Sequence, residues 1–133
     1  MAEAPRCMVS CRCAVHPSED PEKVAHAVSF IAGDAAVSLS HNEVVFRAAG
    51  LECLYRVRDA AASRRRLYTR YLESNQDGDA TWFYLNKQAA WAGIVAICAE
   101  ADESPLGPIK VSLQSSDIDG VIRWLVSGSI KIE

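Results

Sequence analysis

The chain has 133 residues, half of them hydrophobic and 23 % charged, with seven Gly and five Pro. That is the length of one domain able to bury its own core, and the composition excludes collagen-like and low-complexity chains. A formal net charge of −3 excludes a uniformly basic nucleic-acid binder, yet residues 51–75 hold six arginines against three carboxylates.

Residues 6–15 read as a first strand. Cys7, Val9, Cys11, Cys13 and Val15 recur at the two-residue period that puts them on one face. The C-x3-C-x-C spacing differs from the C-x2-C of zinc knuckles, so small core residues are expected and no metal. The cysteine count is five, an odd number, and the amino end lacks an apolar export stretch. Free thiols and a cytoplasmic location are therefore expected. No run reaches the length of a membrane span.

A helix is expected over 21–32. Asp20 suits its N-cap, Pro21 its first position and Glu22 the positive end of its dipole, with Gly33 as the stop. Strands over 35–40 and 43–49 meet near His41-Asn42. A long helical stretch over 51–74 follows, whose apolar stripes fall out of step near Ala62-Ser63, so a kink or two helices are expected there. The polar run 74–79 is a turn or loop. Two strands are expected next, over 81–86 and 89–99, from Trp82, Phe83, Tyr84, Trp91, Ile94, Val95 and Ile97. A loop broken by Pro105, Gly107 and Pro108 leads to a strand over 109–114, and Ser116 or Asp117 caps a last helix over 117–127.

Helices and strands do not alternate regularly, which argues against a doubly wound parallel sheet. The expected fold is a single α+β domain over 1–133: a two-layer sandwich with a mostly antiparallel sheet and helices packed on one face. Residues 1–5 and 128–133 read as tails, disordered or, for the second, adding a short strand.

Four strings then line up in order: HPSEDPEKV at 16–24, FYLNKQAAWAG at 83–93, ESPLGPIKV at 103–111 and DIDGVIRWL at 117–125. Together they resemble uncharacterised protein family 0201, a small archaeal family, over nearly the whole chain. The resemblance implies a fold like that of large-subunit ribosomal protein five. It also implies kinship with a group described as RNA-binding, one relative of which is predicted to be an exosome subunit. Ser18 stands here where that family carries Thr, and His16 where Tyr is common.

Arg64, Arg65, Arg66 and Arg70 are the leading RNA-contact candidates. Arg66 and Arg70 share a helix face, guanidinium forks suit phosphates, and Tyr68 and Tyr71 lie close enough in sequence to stack on bases. The alternative is a solvated helix face with both tyrosines in the core. Lys87 and Gln88, beside Asn86, either contact a phosphate or base or form a tight turn between strands. The stretch 104–108 is a rigid connection or a set of backbone N–H groups for an anion. Glu19, Asp20 and Glu22 could hold Mg²⁺ with a further oxygen ligand, but capping explains Asp20 and Glu22 more simply. His16, His26 and His41 have no readable triad partner, and no cofactor motif appears, so a non-enzymatic protein is expected. A small enzyme, the third reading, predicts several of Lys87, Gln88, Glu19 and His16 together in one cleft, and finding them far apart would dismiss it. The partner expected first is RNA. The alternative is a homodimer or protein-interaction domain using the open sheet face, with no membrane or small-molecule substrate.

Overall fold

The computed structural model describes residues 4–103 and 105–128. The expectations for residues 1–3, Ser104 and 129–133 lie outside the described residues.

Among the described residues six strands build one sheet: β1 (Met8–Ala14), β2 (Ser38–Ser40), β3 (Glu43–Ala49), β4 (Ala80–Asn86), β5 (Ile97–Cys98) and β6 (Pro108–Gln114). Their order is β2-β3-β1-β6-β4-β5, and every neighbouring pair is antiparallel. Alternate residues of the long strands are buried: Val9, Cys11 and Cys13 on β1, Phe83 and Leu85 on β4, Ile109, Val111 and Leu113 on β6. The cysteine stripe is thus core, as its period predicts. Burial pushes the Cys11 thiol up to about 12 and the Cys13 thiol up to about 11.

The helices α1 (Pro21–Ile31), α2 (Tyr55–Ala62), α3 (Arg65–Ser74), α4 (Lys87–Trp91) and α5 (Ile118–Leu125) supply the other half of that core. Val24, Val28, Ile31, Leu72, Val121 and Leu125 point at the buried sheet face, so the fold is a two-layer α+β sandwich with one sheet face open. Among the described residues no helix is long and apolar enough to cross a membrane.

Local chemistry explains most boundaries. The Asp20 carboxylate accepts from the Glu22 N–H at 3.0 Å and starts α1. The hairpin between β2 and β3 turns on His41 and Asn42, at φ 49° and 63°, the paired left-handed geometry that matches strand twist. The expected break in 51–74 falls at Ser63 and Arg64, between α2 and α3, after a short 3₁₀ turn at Glu52–Leu54. Asp117 caps α5 by accepting from Gly120 N–H at 3.1 Å.

One expectation is corrected. The segment 89–99 is not a strand: α4 occupies Lys87–Trp91, and only Ile97–Cys98 pairs with β4. Asn86 accepts from the Ala89 N–H at 2.8 Å and so caps a helix where the aromatic content suggested extended chain. Gln88, Ala89 and Ala90 are strong helix formers, and Gly93 at φ 83° ends the turn. The tight-turn reading of Asn86-Lys87-Gln88 is replaced by this cap and first helical turn.

Gly33 ends α1 at φ 71°, and a Cβ there would lie 2.7 Å from the Cys53 carbonyl oxygen. Gly33→Ala is expected to lower stability by about 2 kcal/mol or more, from left-handed strain plus the backbone clash. Thermal denaturation should show a fall of roughly 5–10 °C; an unchanged midpoint would mean the turn relaxes freely.

Candidate functional site

Three of the four sequence strings meet at one buried ammonium. Lys87, only 3 % exposed, opens α4 and points into the protein. Its Nζ donates to the Ala14 carbonyl at 2.8 Å, the Glu19 carboxylate at 2.8 Å and the Leu106 carbonyl at 2.7 Å. An ammonium has three donors, and all three are used. Lys87 therefore holds β1, the 16–20 turn and the loop at 105–107 together, and none of its protons is left for a phosphate. The Leu106 carbonyl completes this clamp, with Gly107 at φ 83° shaping the bend that leads into β6.

Glu19 also accepts from the His16 N–H at 2.8 Å. Burial alone would raise its carboxyl. The Lys87 hydrogen bond, the His16 N–H and the Lys87 charge outweigh that and hold it below the ordinary glutamate range. Gln88 is exposed along the same cleft, which Lys23 and Trp91 also line, with Lys23 Nζ 5.1 Å from the Trp91 ring centre. Glu19, Lys87 and Gln88 thus come together as an enzyme would require, and His16 touches the group through its backbone. Within this group Lys87 and Glu19 are held together as an ion pair at 2.8 Å.

The six arginines of 51–75 divide by role. Arg56 forms a two-pronged ion pair with Asp34, at 2.6 and 2.9 Å. Arg58 donates to the Trp124 carbonyl at 3.0 Å and stacks on that indole. Arg65 donates to the Gly128 carbonyl. Arg64, Arg66 and Arg70 are exposed, and none of the ion pairs Arg12–Glu43, Arg56–Asp34 and Lys87–Glu19 draws on them. Arg64, Arg65 and Arg66 crowd the amino end of α3, where the helix dipole is already positive and no side chain caps the helix. Tyr68 is a correction: it is 1 % exposed in the core, with burial pushing its hydroxyl up to about 12, and stacks on no base. Tyr71 is half-buried, with Arg70 5.5 Å from its ring centre.

The sheet register exposes a second surface. Arg47, Ser10, Ser112 and Trp82 lie opposite one another across β3, β1, β6 and β4. The next row on the same face is Val45, Arg12, Lys110 and Tyr84. Trp82 and Tyr84 sit side by side, ring centres 4.8 Å apart, and Lys110 Nζ lies 4.9 Å from the Trp82 ring centre. Trp82, Tyr84 and Lys110 are half-buried, and a cation over such a ring is held by about 0.5–2 kcal/mol, within what a base stacking on the ring can replace. Glu43 is the one carboxylate among strand residues facing this side, and it pairs with Arg12 at 2.8 Å. Composition alone marks Trp82 and Tyr84 as sheet aromatics. Their alignment with Arg47 and Lys110 needs the strand order, which no local signal carries.

Lys87→Met removes the clamp's charge and strands Glu19. Breaking a buried pair is expected to lower stability by about 3–5 kcal/mol near neutral pH. Because the Glu19 pKa is lowered in the folded chain, the pair's contribution is full above the ordinary glutamate range, begins to fall as pH drops through it, and is gone only below the lowered folded value. The gap between wild type and Lys87→Met in urea titrations should therefore shrink on going from pH 7 to about pH 4. A gap that grows on acidification would contradict this account of the clamp.

Known proteins match the chain along most of its length. A family model described as RNA binding matches residues 8–115. A UPF0201 protein of Methanothermobacter thermautotrophicus is 34 % identical over 118 residues, 84 % of this chain and 84 % of that protein. One of Metallosphaera sedula is 32 % identical over 129 residues, 84 % of this chain and 81 % of the other. The crystal structure of a UPF0201 protein from Methanococcus jannaschii superposes with a TM-score of 0.73 at 27 % identity, covering 90 % of this chain and 98 % of that one. The strings around Glu19, Lys87 and Leu106 pointed to the same relatives, and the chain belongs to the UPF0201 family.

Proposed function

We propose that the protein is an RNA-binding module that does no chemistry on its ligand. The observation that carries this reading is the arginine cluster at the amino end of α3, joined one turn along by Arg70. Side-chain charge and helix dipole share a sign there, an arrangement that an anion relieves. Guanidinium forks match phosphate geometry, and the family model's description is of RNA binding. Gln88 stays among the contacts as an exposed donor on the cleft, whereas Lys87 acts by holding the fold.

Binding without catalysis is supported by the state of the reactive groups. The ammonium of Lys87 is fully engaged, Glu19 is held ionised, and the Cys11 and Cys13 thiols are pushed up to about 12 and about 11, far from thiolate chemistry. A fold of the ribosomal protein five kind and a cytoplasmic site of action belong to the same reading. A homodimer through the open sheet face is less favoured. That face carries Ser10, Arg12, Arg47, Lys110 and Ser112, while dimer interfaces have charge-depleted centres. The edge strands β2 and β5 are also only three and two residues long, too short to invite pairing.

Fluorescence anisotropy with a labelled structured RNA over a salt series tests the proposal. Affinity should fall linearly on log–log axes as salt rises. Replacing Arg64, Arg66 and Arg70 together with Gln, leaving Arg65 on Gly128, should weaken binding and reduce the salt slope by about three. Binding unchanged in this variant would remove the assignment to α3.

A further inference from the structure

We infer that the open sheet face is a base-stacking platform for unpaired nucleic acid, centred on Trp82 and Tyr84. The inference rests on the RNA-binding reading and adds a second surface with a different ligand: α3 offers charge to phosphates, and the sheet offers rings to bases.

The geometry has three parts. Trp82 and Tyr84 are two residues apart on β4, so both rings stand on the same open face, with centres 4.8 Å apart. Cations flank them: Lys110 lies over Trp82, and Arg47 ends the cross-strand row that Trp82 begins. Between Arg47 and Trp82 stand Ser10 and Ser112, hydroxyls that can donate to and accept from a ribose or a base edge. Aromatic rings in a cationic groove are the arrangement that holds single strands, because every base has a π-face and every nucleotide a phosphate. A duplex hides its base faces and offers the platform nothing to stack.

Charge complementarity selects the occupant. The protein is acidic overall, yet on this face the one strand carboxylate, Glu43, is spent on Arg12, which leaves Lys110 over the Trp82 ring and Arg47, three strands along the same row, as net positive charge. An acidic peptide would find the two cations but no use for adjacent rings. In the bound state a base replaces the Lys110 ammonium over the indole, and Lys110 swings to a neighbouring phosphate.

The test uses the full chain, an unstructured single-stranded RNA of about twelve nucleotides and an RNA duplex of the same length. Four proteins are compared: wild type, the Arg64/Arg66/Arg70→Gln variant, Trp82→Ala/Tyr84→Ala and Trp82→Phe/Tyr84→Phe. We expect the alanine pair to lose at least about tenfold in single-strand affinity and the phenylalanine pair to keep most of it. Duplex affinity should be unchanged in both and should fall in the arginine variant. Should the alanine pair melt abnormally by circular dichroism, Arg47→Gln/Lys110→Gln replaces it, with the same selective loss expected. If the alanine pair binds the single strand as wild type does while the arginine variant loses it, the platform is wrong and the α3 reading stands. If wild type binds neither RNA at low salt, both fall. A dimer in light scattering that dissolves in the alanine pair without any change in RNA binding would give the face to a second copy and overturn the platform.

Discussion

Everything in this molecule hangs on a charged group that has been taken out of water. A buried ammonium without partners costs several kcal/mol, so Lys87 is tolerated only while Ala14, Glu19 and Leu106 stay within hydrogen-bond reach. Those partners are not scattered. Ala14 ends β1, Asn86 just before Lys87 ends β4, and Leu106 lies two residues before β6 begins. The clamp therefore pins the same end of three neighbouring strands, β1, β6 and β4. A sheet in which one strand slips by one residue turns its core face to solvent, and at this end a slip would also pull a carbonyl off the ammonium. Register, in turn, is what sets Arg47, Ser10, Ser112 and Trp82 in one line on the opposite side of the sheet. A polar contact at one edge thus fixes a surface that it never touches.

The parts of this that were legible in the sequence are the parts whose causes are local. Asp20-Pro21-Glu22 is a helix start in chemistry as well as in structure, and so is Asp117. His41-Asn42 reads as a turn because few side chains other than Asn and Gly accept left-handed backbone readily. The cysteine stripe of β1 shows its period directly. What failed was a contest between two local signals: Trp91, Ile94 and Val95 favour extended chain, while Asn86 offers a cap and Gln88-Ala89-Ala90 favour helix. The cap decided it, because Asn86 satisfies an N–H that would otherwise be unpaired and Lys87 can reach its acceptors from a first helical turn.

Function was less legible, for a physical reason. Whether a lysine or arginine is free or spent depends on what lies tens of residues away. Lys87 meets Ala14 across 73 residues, Arg58 meets Trp124 across 66 and Arg65 meets Gly128 across 63. A charge run seen in one dimension counts all of these as available, so the arginine island of 51–75 is thinner in space than in sequence. Arg56, Arg58 and Arg65 brace the helical layer, and Arg64, Arg66 and Arg70 face solvent. Conversely, Arg47 and Lys110, 63 positions apart and unremarkable in sequence, meet on one face through β1 and β6.

The two cationic surfaces lie on opposite layers, and on the RNA-binding reading they differ in physics as well as position. Attraction at α3 is between point charges at an exposed helix end, so it is screened over about 8 Å at physiological ionic strength and released counterions drive it. Attraction at the sheet adds stacking, which salt barely changes. The net charge of −3 matters here. It repels polyanions at long range and suppresses indiscriminate coating of duplexes, so an RNA must come within a Debye length of either surface before it is held. A strongly basic protein would bind any duplex. On the proposed reading this one gains from a ligand that offers phosphate and an unstacked base together, and the sheet, whose rows the Lys87 clamp keeps in register, is the surface proposed to meet both at once.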